Sequence, residues 1–243
     1  MKIAFLSDIH SNIEALTAVM RKIDELKPDQ IIELGDVIGY GPNPNEALDI
    51  VKSRADIVLN GNHEAACLGL LKLEELNKKA ERAIMWTIAH LRKENYRYIS
   101  SHDFTQNVEG FTIVHASMRN LYKTYLLEQD DFLYDIDLLK KTDAKLCFFG
   151  HTHIPVVASN EDGIVHLTPG KEFTLDKGRH YMINPGSVGQ PRDKDTRASF
   201  LIFDTEKYSL QNYRVEYDIK ATMKKILAAA LPEELAYRLE YGI

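Results

Sequence analysis

The chain has 243 residues, with 30 Lys and Arg against 36 Asp and Glu for a formal charge of −6 at pH 7, and it is 44% hydrophobic and 27% charged. Such a composition excludes a disordered chain, and the length allows one large domain or two small ones. The acidic balance argues against a general nucleic-acid binder, although a metal-mediated phosphate site can draw its positive charge from bound cations.

Ile3 to Leu6 is a short apolar run suited to a strand buried on both faces, and Asp8 ends it too early for a signal peptide. With no stretch approaching the length of a membrane span, a cytoplasmic protein is expected. Ser11 or Asn12 caps a predicted helix from Ile13 to about Leu26, with Ile13, Leu16, Val19, Met20 and Ile23 on one face and Pro28 beyond its end. Ile31, Ile32 and Leu34 predict a second strand ending at Gly35-Asp36. A loop of breakers follows (Gly39, Gly41, Pro42, Pro44), then a helix over Glu46 to Ser53 and a third strand, Ile57 to Leu59, ending at Asn60-Gly61-Asn62-His63. This β-α-β-α-β order predicts parallel pairing, right-handed crossovers and a site beyond the carboxyl ends of the strands.

Glu64 to Lys93 reads as mostly helical with Trp86 in its apolar face, and Glu64 to His102 is long enough to form a helical cap against large substrates. Further strands are predicted at Phe111–His115, Lys145–Phe149, Pro155–Ser159, Ile164–Leu167 and His180–Ile183, with a hairpin of Ser199–Phe203 and Leu210–Val215. Helices are predicted at Asp131–Lys140, Ile219–Ala230 and from Pro232 onward. No repeat, linker or low-complexity segment interrupts the chain, so a single α/β (α+β) domain over residues 1–243, with two packed sheets and outer helices, is expected. Cys67 and Cys147 are too few for a disulfide scaffold and read as buried free thiols.

Five of the nine histidines sit in clusters at predicted strand ends: Asp8-Ile9-His10, Gly35-Asp36, Gly61-Asn62-His63-Glu64, His115 and Gly150-His151-Thr152-His153. Carboxylate, amide oxygen and imidazole together suit Mn²⁺, Fe, Co or Zn²⁺ better than a site that demands thiolates. About seven such groups overfill one mononuclear site, whereas two ions sharing a bridging carboxylate, roughly 3.5–4 Å apart, use them all. His90, His102, His166 and His180 stand apart and read as surface or core histidines.

These clusters, in this order, resemble the calcineurin-like metallophosphoesterase superfamily from Lys2 to about Arg192. The resemblance implies two mixed β-sheets flanked by helices in a four-layer sandwich, with two divalent metals at the strand ends. By motif, Asp8, His10 and His153 hold the first ion, Asp36 bridges, and Asn62, His115 and His151 complete the second site. Mn²⁺ is the expected metal, with Fe, Zn²⁺, Co²⁺ or Ni²⁺ as alternatives. His63 corresponds to a histidine that contacts the phosphate or protonates the leaving oxygen, and Glu64 stands where many members carry an Asp that orients that histidine. Tyr181 to Arg192 further resembles the bacterial and archaeal branch of YfcE-like phosphodiesterases. Within it, Asn184-Pro185-Gly186-Ser187 is either a turn whose N–H groups face an anion, with Arg192 offering a fork of donors to a substrate phosphate, or a structural turn with a surface Arg. Tyr40, in a loop that also resembles the branch, is either a platform for an aromatic leaving group such as a nucleobase or a residue packed over the loop.

The activity implied is a dinuclear metal-dependent phosphodiesterase or nucleotidase, in which a metal-activated hydroxide attacks a small phosphorylated substrate. A diadenosine polyphosphate hydrolase and a protein phosphatase are the alternatives within the class. A non-catalytic protein-interaction scaffold on the same fold, as in a retromer subunit, is the alternative outside it. Neither a membrane nor a nucleic-acid partner is expected, and a homo-oligomer is left open.

Overall fold

The computed structural model describes residues 1–108 and 110–243. The first third folds as β1 (Lys2–Leu6), α1 (Ile13–Leu26), β2 (Gln30–Glu33), α2 (Pro44–Arg54) and β3 (Ile57–Val58). Both β1–β2 and β2–β3 pair in parallel, as the β-α-β-α-β order requires. Asn12 caps α1 by accepting a hydrogen bond from the Ala15 N–H, and the capped face of Ala15, Leu16, Val19, Met20 and Ile23 is buried. Helix α2 begins two residues before the predicted start because Pro44, read as a breaker, occupies its first turn, where a missing N–H costs nothing.

The stretch after β3 is less continuous than its composition suggests. It divides into α3 (Asn62–Cys67), a 3₁₀ turn at Leu73–Glu75, α4 (Lys78–His90) and α5 (Lys93–Ile99). Asn77 starts α4 by accepting from the Lys79 and Ala80 N–H groups. Trp86 is half-buried on α4 and stacks on His90 at 3.9 Å, so it edges the core and does not fill it.

The remainder supplies β4 (Thr105–Val108), β5 (Phe111–Val114), α6 (Gln129–Leu139), β6 (Leu146–Phe148), β7 (Val156–Ser159), β8 (Gly163–His166), β9 (Glu172–Thr174), β10 (Tyr181–Asn184), β11 (Ala198–Asp204), β12 (Ser209–Val215), α7 (Ile219–Ala228) and α8 (Glu234–Tyr237). One sheet has the order β3-β2-β1-β11-β12-β9 and the other β4-β5-β6-β10-β7-β8; both are mixed. Strands β4 and β9 have no counterpart in the sequence reading. Both are sheet-edge strands with mostly exposed or half-buried side chains, so they lack the apolar run that marks an interior strand.

Strand alternation builds the layers. Ile3 and Phe5 of β1 point between the sheets, where Phe5 stacks on Phe148 with ring centroids 3.8 Å apart, while Ala4 and Leu6 face α1. Phe132, Ile136 and Leu139 of α6 cover the outer face of the second sheet. The result is helix, sheet, sheet, helix.

Candidate dinuclear metal centre

The carboxyl ends of β1, β2, β3, β5 and β6 deliver the candidate ligands to one place. Main-chain hydrogen bonds lace the strand ends together: Asp8 N–H to the Gly35 oxygen (3.0 Å), His10 N–H to the Asp36 oxygen (2.9 Å) and Gly150 N–H to the His115 oxygen (2.7 Å). Five of the seven candidate ligands, Asp8, His10, Asp36, His151 and His153, have positive φ between 49° and 64°, a left-handed conformation that L-residues adopt at a cost. Such departures gather where a fold must aim side chains, and here they turn residues i and i+2 of the Asp-x-His and His-x-His pairs toward a common focus. Close approach is required as well. A Cβ on Gly61 would lie 2.2 Å from Asp36 Oδ1, so only glycine lets the third cluster seat against the second.

Three buried groups of ligand atoms result: Asp8, His10 and His153; His10, Asp36 and His63; and Asp36, His115 and His151. Asp36 Oδ2 lies 3.5 Å from His115 Nε2, 3.7 Å from His10 Nε2 and 4.0 Å from His63 Nε2. Asp8 Oδ1 lies 3.3 Å from His153 Nε2, and Asn62 Oδ1 lies 3.2 Å from His115 Nε2. All seven candidate ligands and His63 therefore converge, and His63 lies inside the focus and not at its rim. The outer ring nitrogens are committed elsewhere. Nδ1 of His10, His115 and His153 donates to the main-chain oxygens of Ile38, Leu34 and Gln190 at 3.2, 2.9 and 2.5 Å, which orients each ring with Nε2 inward and leaves that nitrogen a lone pair whenever the ring is neutral.

This donor set fits divalent cations. His10 Nε2 and His153 Nε2 face each other at 3.1 Å, an arrangement of two acceptor nitrogens that a shared cation relieves, and the buried His151 Nε2 has no hydrogen-bond partner. The electrostatics agree. Burial alone would raise the carboxyl groups, yet His153 holds Asp8 and His115 holds Asp36 below the usual carboxylate range, so both are anionic. Burial pushes His151 down to about 3 and His63 to about 4. For His115 burial also acts downward, but Asp36 outweighs it and lifts the imidazole to about 10. A proton thus rests on His115 where cation charge would otherwise neutralise Asp36.

One expectation needs correction, and two open readings take their structural alternative. The Glu64 side chain forms no hydrogen bond with the His63 ring. Its carboxylate accepts from the N–H groups of Asp36 (3.0 Å), Ile38 (3.0 Å) and Gly61 (2.8 Å), stapling the second cluster to the third. The turn at 184–187 is not an open anion nest either. Gly186 N–H donates to Asn184 Oδ1, while Val188 and Gly189 N–H donate to the Ser7 and Asp8 oxygens, so the turn braces β1. Tyr40 is buried with its ring 4.4 Å from the His63 ring and 4.6 Å from that of His10, packing against the histidines. The Arg192 guanidinium lies 6.0 Å from the Tyr40 ring, beside the site.

Three contributors escaped the sequence reading. Tyr125 packs 3.9 Å from the His151 ring, Gln190 holds His153 through its main chain, and Arg238 reaches the Gln190 side chain at 2.9 Å. Tyr125 and Arg238 lie in no motif, and Gln190 lies within the Tyr181 to Arg192 segment but was given no role there. Only the position of Gln190, two residues before Arg192, carried a signal.

Comparison with known proteins agrees with this architecture. Residues 1–208 match the calcineurin-like phosphoesterase superfamily domain. MJ0912 of Methanocaldococcus jannaschii is 40% identical over 99% of this chain and 98% of its own. A metallophosphoesterase from Sphaerobacter thermophilus is 36% identical, with a TM-score of 0.89 over all of both chains. The Pyrococcus horikoshii protein PH1004, 20% identical, shares the fold at a TM-score of 0.82 over 100% of this chain and 98% of its own. Members of the family work through divalent metal ions, and the buried clusters here are of the type that binds them. The chain belongs to the calcineurin-like phosphoesterase superfamily and is a metal-binding phosphoric ester hydrolase.

Proposed function

We propose that the chain is a dinuclear phosphodiesterase or nucleotidase acting on a small phosphorylated molecule. The observation that carries this reading is the sharing of Asp36 and His10 between ligand groups, which suits two adjacent ions better than one. Asp8, His10 and His153 would hold one ion, Asn62, His115 and His151 the other, and Asp36 both, with Mn²⁺ the expected metal. Bound there, two divalent cations supply Lewis acidity toward phosphoryl oxygens and lower the pKa of water.

The chain's own groups do the rest. Asp8 is held in place by accepting the His151 N–H at 3.0 Å, and Asp36 by accepting the His63 N–H at 2.9 Å. His63 Nδ1 is buried without a partner, so its ring is free of protein hydrogen bonds that would hold it from a substrate oxygen. In the free protein His63 is neutral at pH 7. The negative charge of a bound phosphate ester acts in the opposite sense and favours the imidazolium that donates to the leaving oxygen. Arg192 supports phosphate binding from beside Tyr40, and the α4 start (Lys78, Lys79) walls the adjoining cleft as a cap.

The test is hydrolysis of bis-p-nitrophenyl phosphate and p-nitrophenyl phosphate with Mn²⁺, with metal content measured alongside. His63→Ala is expected to keep both metals and lose about 10²–10⁴-fold in turnover, the usual range for general acid–base catalysis. An emptied metal site in that variant would make His63 a ligand. No turnover with any divalent metal would favour a scaffold.

A further inference from the structure

Beside the metal centre two guanidinium groups meet on one neutral acceptor. Arg192 Nη2 and Arg238 Nη1 donate to the same oxygen, Gln190 Oε1, at 3.0 and 2.9 Å, and Gln190 is 2% exposed. Among the described residues neither arginine pairs with an Asp or Glu side chain, and Arg192 Nε is buried with no partner. Arg238 also donates from Nε to the Ile243 main-chain oxygen. Burial first, and then the neighbouring Arg192, push Arg238 down to about 10. Two like charges drawn together on one amide oxygen, with no Asp or Glu side chain between them, are costly, and the arrangement is relieved by an anion that both can share.

The pair is tied to the reaction centre at one end and to open space at the other. Gln190, which holds both guanidinium groups, also accepts from His153 Nδ1 at 2.5 Å, and Arg192 lies over Tyr40, whose ring packs on His63. Tyr40 and Arg238 both line a cleft of about 640 Å³, a volume suited to a small organic ligand, with Leu235, Tyr237 and Tyr241 as its apolar and aromatic wall. The metal ligands do not line this cleft; Tyr40 and Arg238 connect the two.

We propose that Arg238 and Arg192 form a second anion subsite, so that the substrate carries an additional anionic group on its leaving portion, a phosphate or phosphonate-like group near the scissile phosphorus, with its organic part in the cleft. Arg238 is then a specificity-determining residue. It lies outside the span 1–208 that matches the family domain, whereas Arg192 and Gln190 lie within it, so the C-terminal segment contributes one arm of the subsite. The proposal rests on the phosphoesterase reading for its substrate, but its binding prediction can be tested without turnover.

The experiment is calorimetric titration of the Mn²⁺-loaded protein with methylenediphosphonate, which has two anionic groups, and with methylphosphonate, which has one. Arg238→Gln is expected to weaken methylenediphosphonate at least tenfold and methylphosphonate less than threefold. Arg238→Lys, which keeps the charge and loses the fork, falls between wild type and Arg238→Gln and carries the test if the glutamine variant does not fold. Equal losses for both ligands, or no loss for either, would overturn the subsite. If no phosphoester is turned over but the selective loss is seen, the subsite stands and the phosphoesterase reading fails. Turnover without the selective loss would remove the subsite alone.

Discussion

Removing the Glu64 carboxylate tests how the metal centre is held together. The side chain is 1% exposed and accepts three main-chain hydrogen bonds, from Asp36, Ile38 and Gly61. Glu64→Ala leaves all three donors without that partner in a buried place. At about 1–3 kcal/mol for each orphaned donor, less what water entering the vacated space restores, the variant should lose about 3–5 kcal/mol of stability. The same staple sets where Asp36 begins, so metal affinity should fall with it. Urea unfolding of metal-free protein reads the first effect as a lower midpoint at unchanged slope, and metal content after dialysis reads the second. A carboxylate that only oriented His63 would give a different result, with turnover reduced while stability and metal content stay at wild-type values. That outcome would refute the staple.

Gly39→Ala would place a Cβ 1.9 Å from His63 Nδ1 on a backbone with φ of +87°, so the imidazole must move; turnover should fall on the order of 10²–10⁴-fold, as for loss of the acid itself, with metal content retained, and unchanged turnover would count against the geometry. Cys67 and Cys147 are both buried, and burial pushes the Cys67 thiol up to about 12 and Cys147 higher, so neither should react with Ellman's reagent at pH 8 until the protein unfolds. In metal-free protein the raised His115 pKa contributes stability that is complete below about 6.5 and is lost as pH rises toward about 10. The urea midpoint should therefore fall across that window, and loading with Mn²⁺ should flatten the slope because the cation takes over the neutralisation of Asp36.

How much of this was legible in the sequence follows from how the signals arise. Buried strands write themselves as apolar runs, so β1, β2, β5, β6 and β10 were all visible, whereas the edge strands β4 and β9 spend half their side chains on solvent and look like loop. The ligands were visible because each cluster follows such a run and all but His115 sit beside a glycine or within two residues of another ligand. Glu64 was visible as a residue and misread in its contacts, since three hydrogen bonds to main-chain N–H groups leave no pattern of side chains to recognise. Arg238 was out of reach for a simpler reason: it stands 48 residues from Gln190, in a helical turn with no motif, and only the folded chain brings them together.

The left-handed backbone at the ligands makes a prediction about sign. An α-helix or a strand would leave the two side chains of an Asp-x-His pair either on different faces or well separated along one, so convergence requires the turn at His10, where φ is +49°. In ordinary backbone, glycine is about 0.5–1 kcal/mol worse than alanine because it loses more freedom on folding. In the left-handed region an L-residue costs roughly 1–2 kcal/mol that glycine does not. Since His10→Ala and His10→Gly remove the same imidazole, their difference isolates the backbone. The glycine variant should be the more stable of the two by roughly 0.5–1 kcal/mol in metal-free urea unfolding, the reverse of the usual order. An alanine variant as stable as the glycine one, or more so, would mean that the ligand's own side chain, and not the packing of the strand ends, imposes the turn.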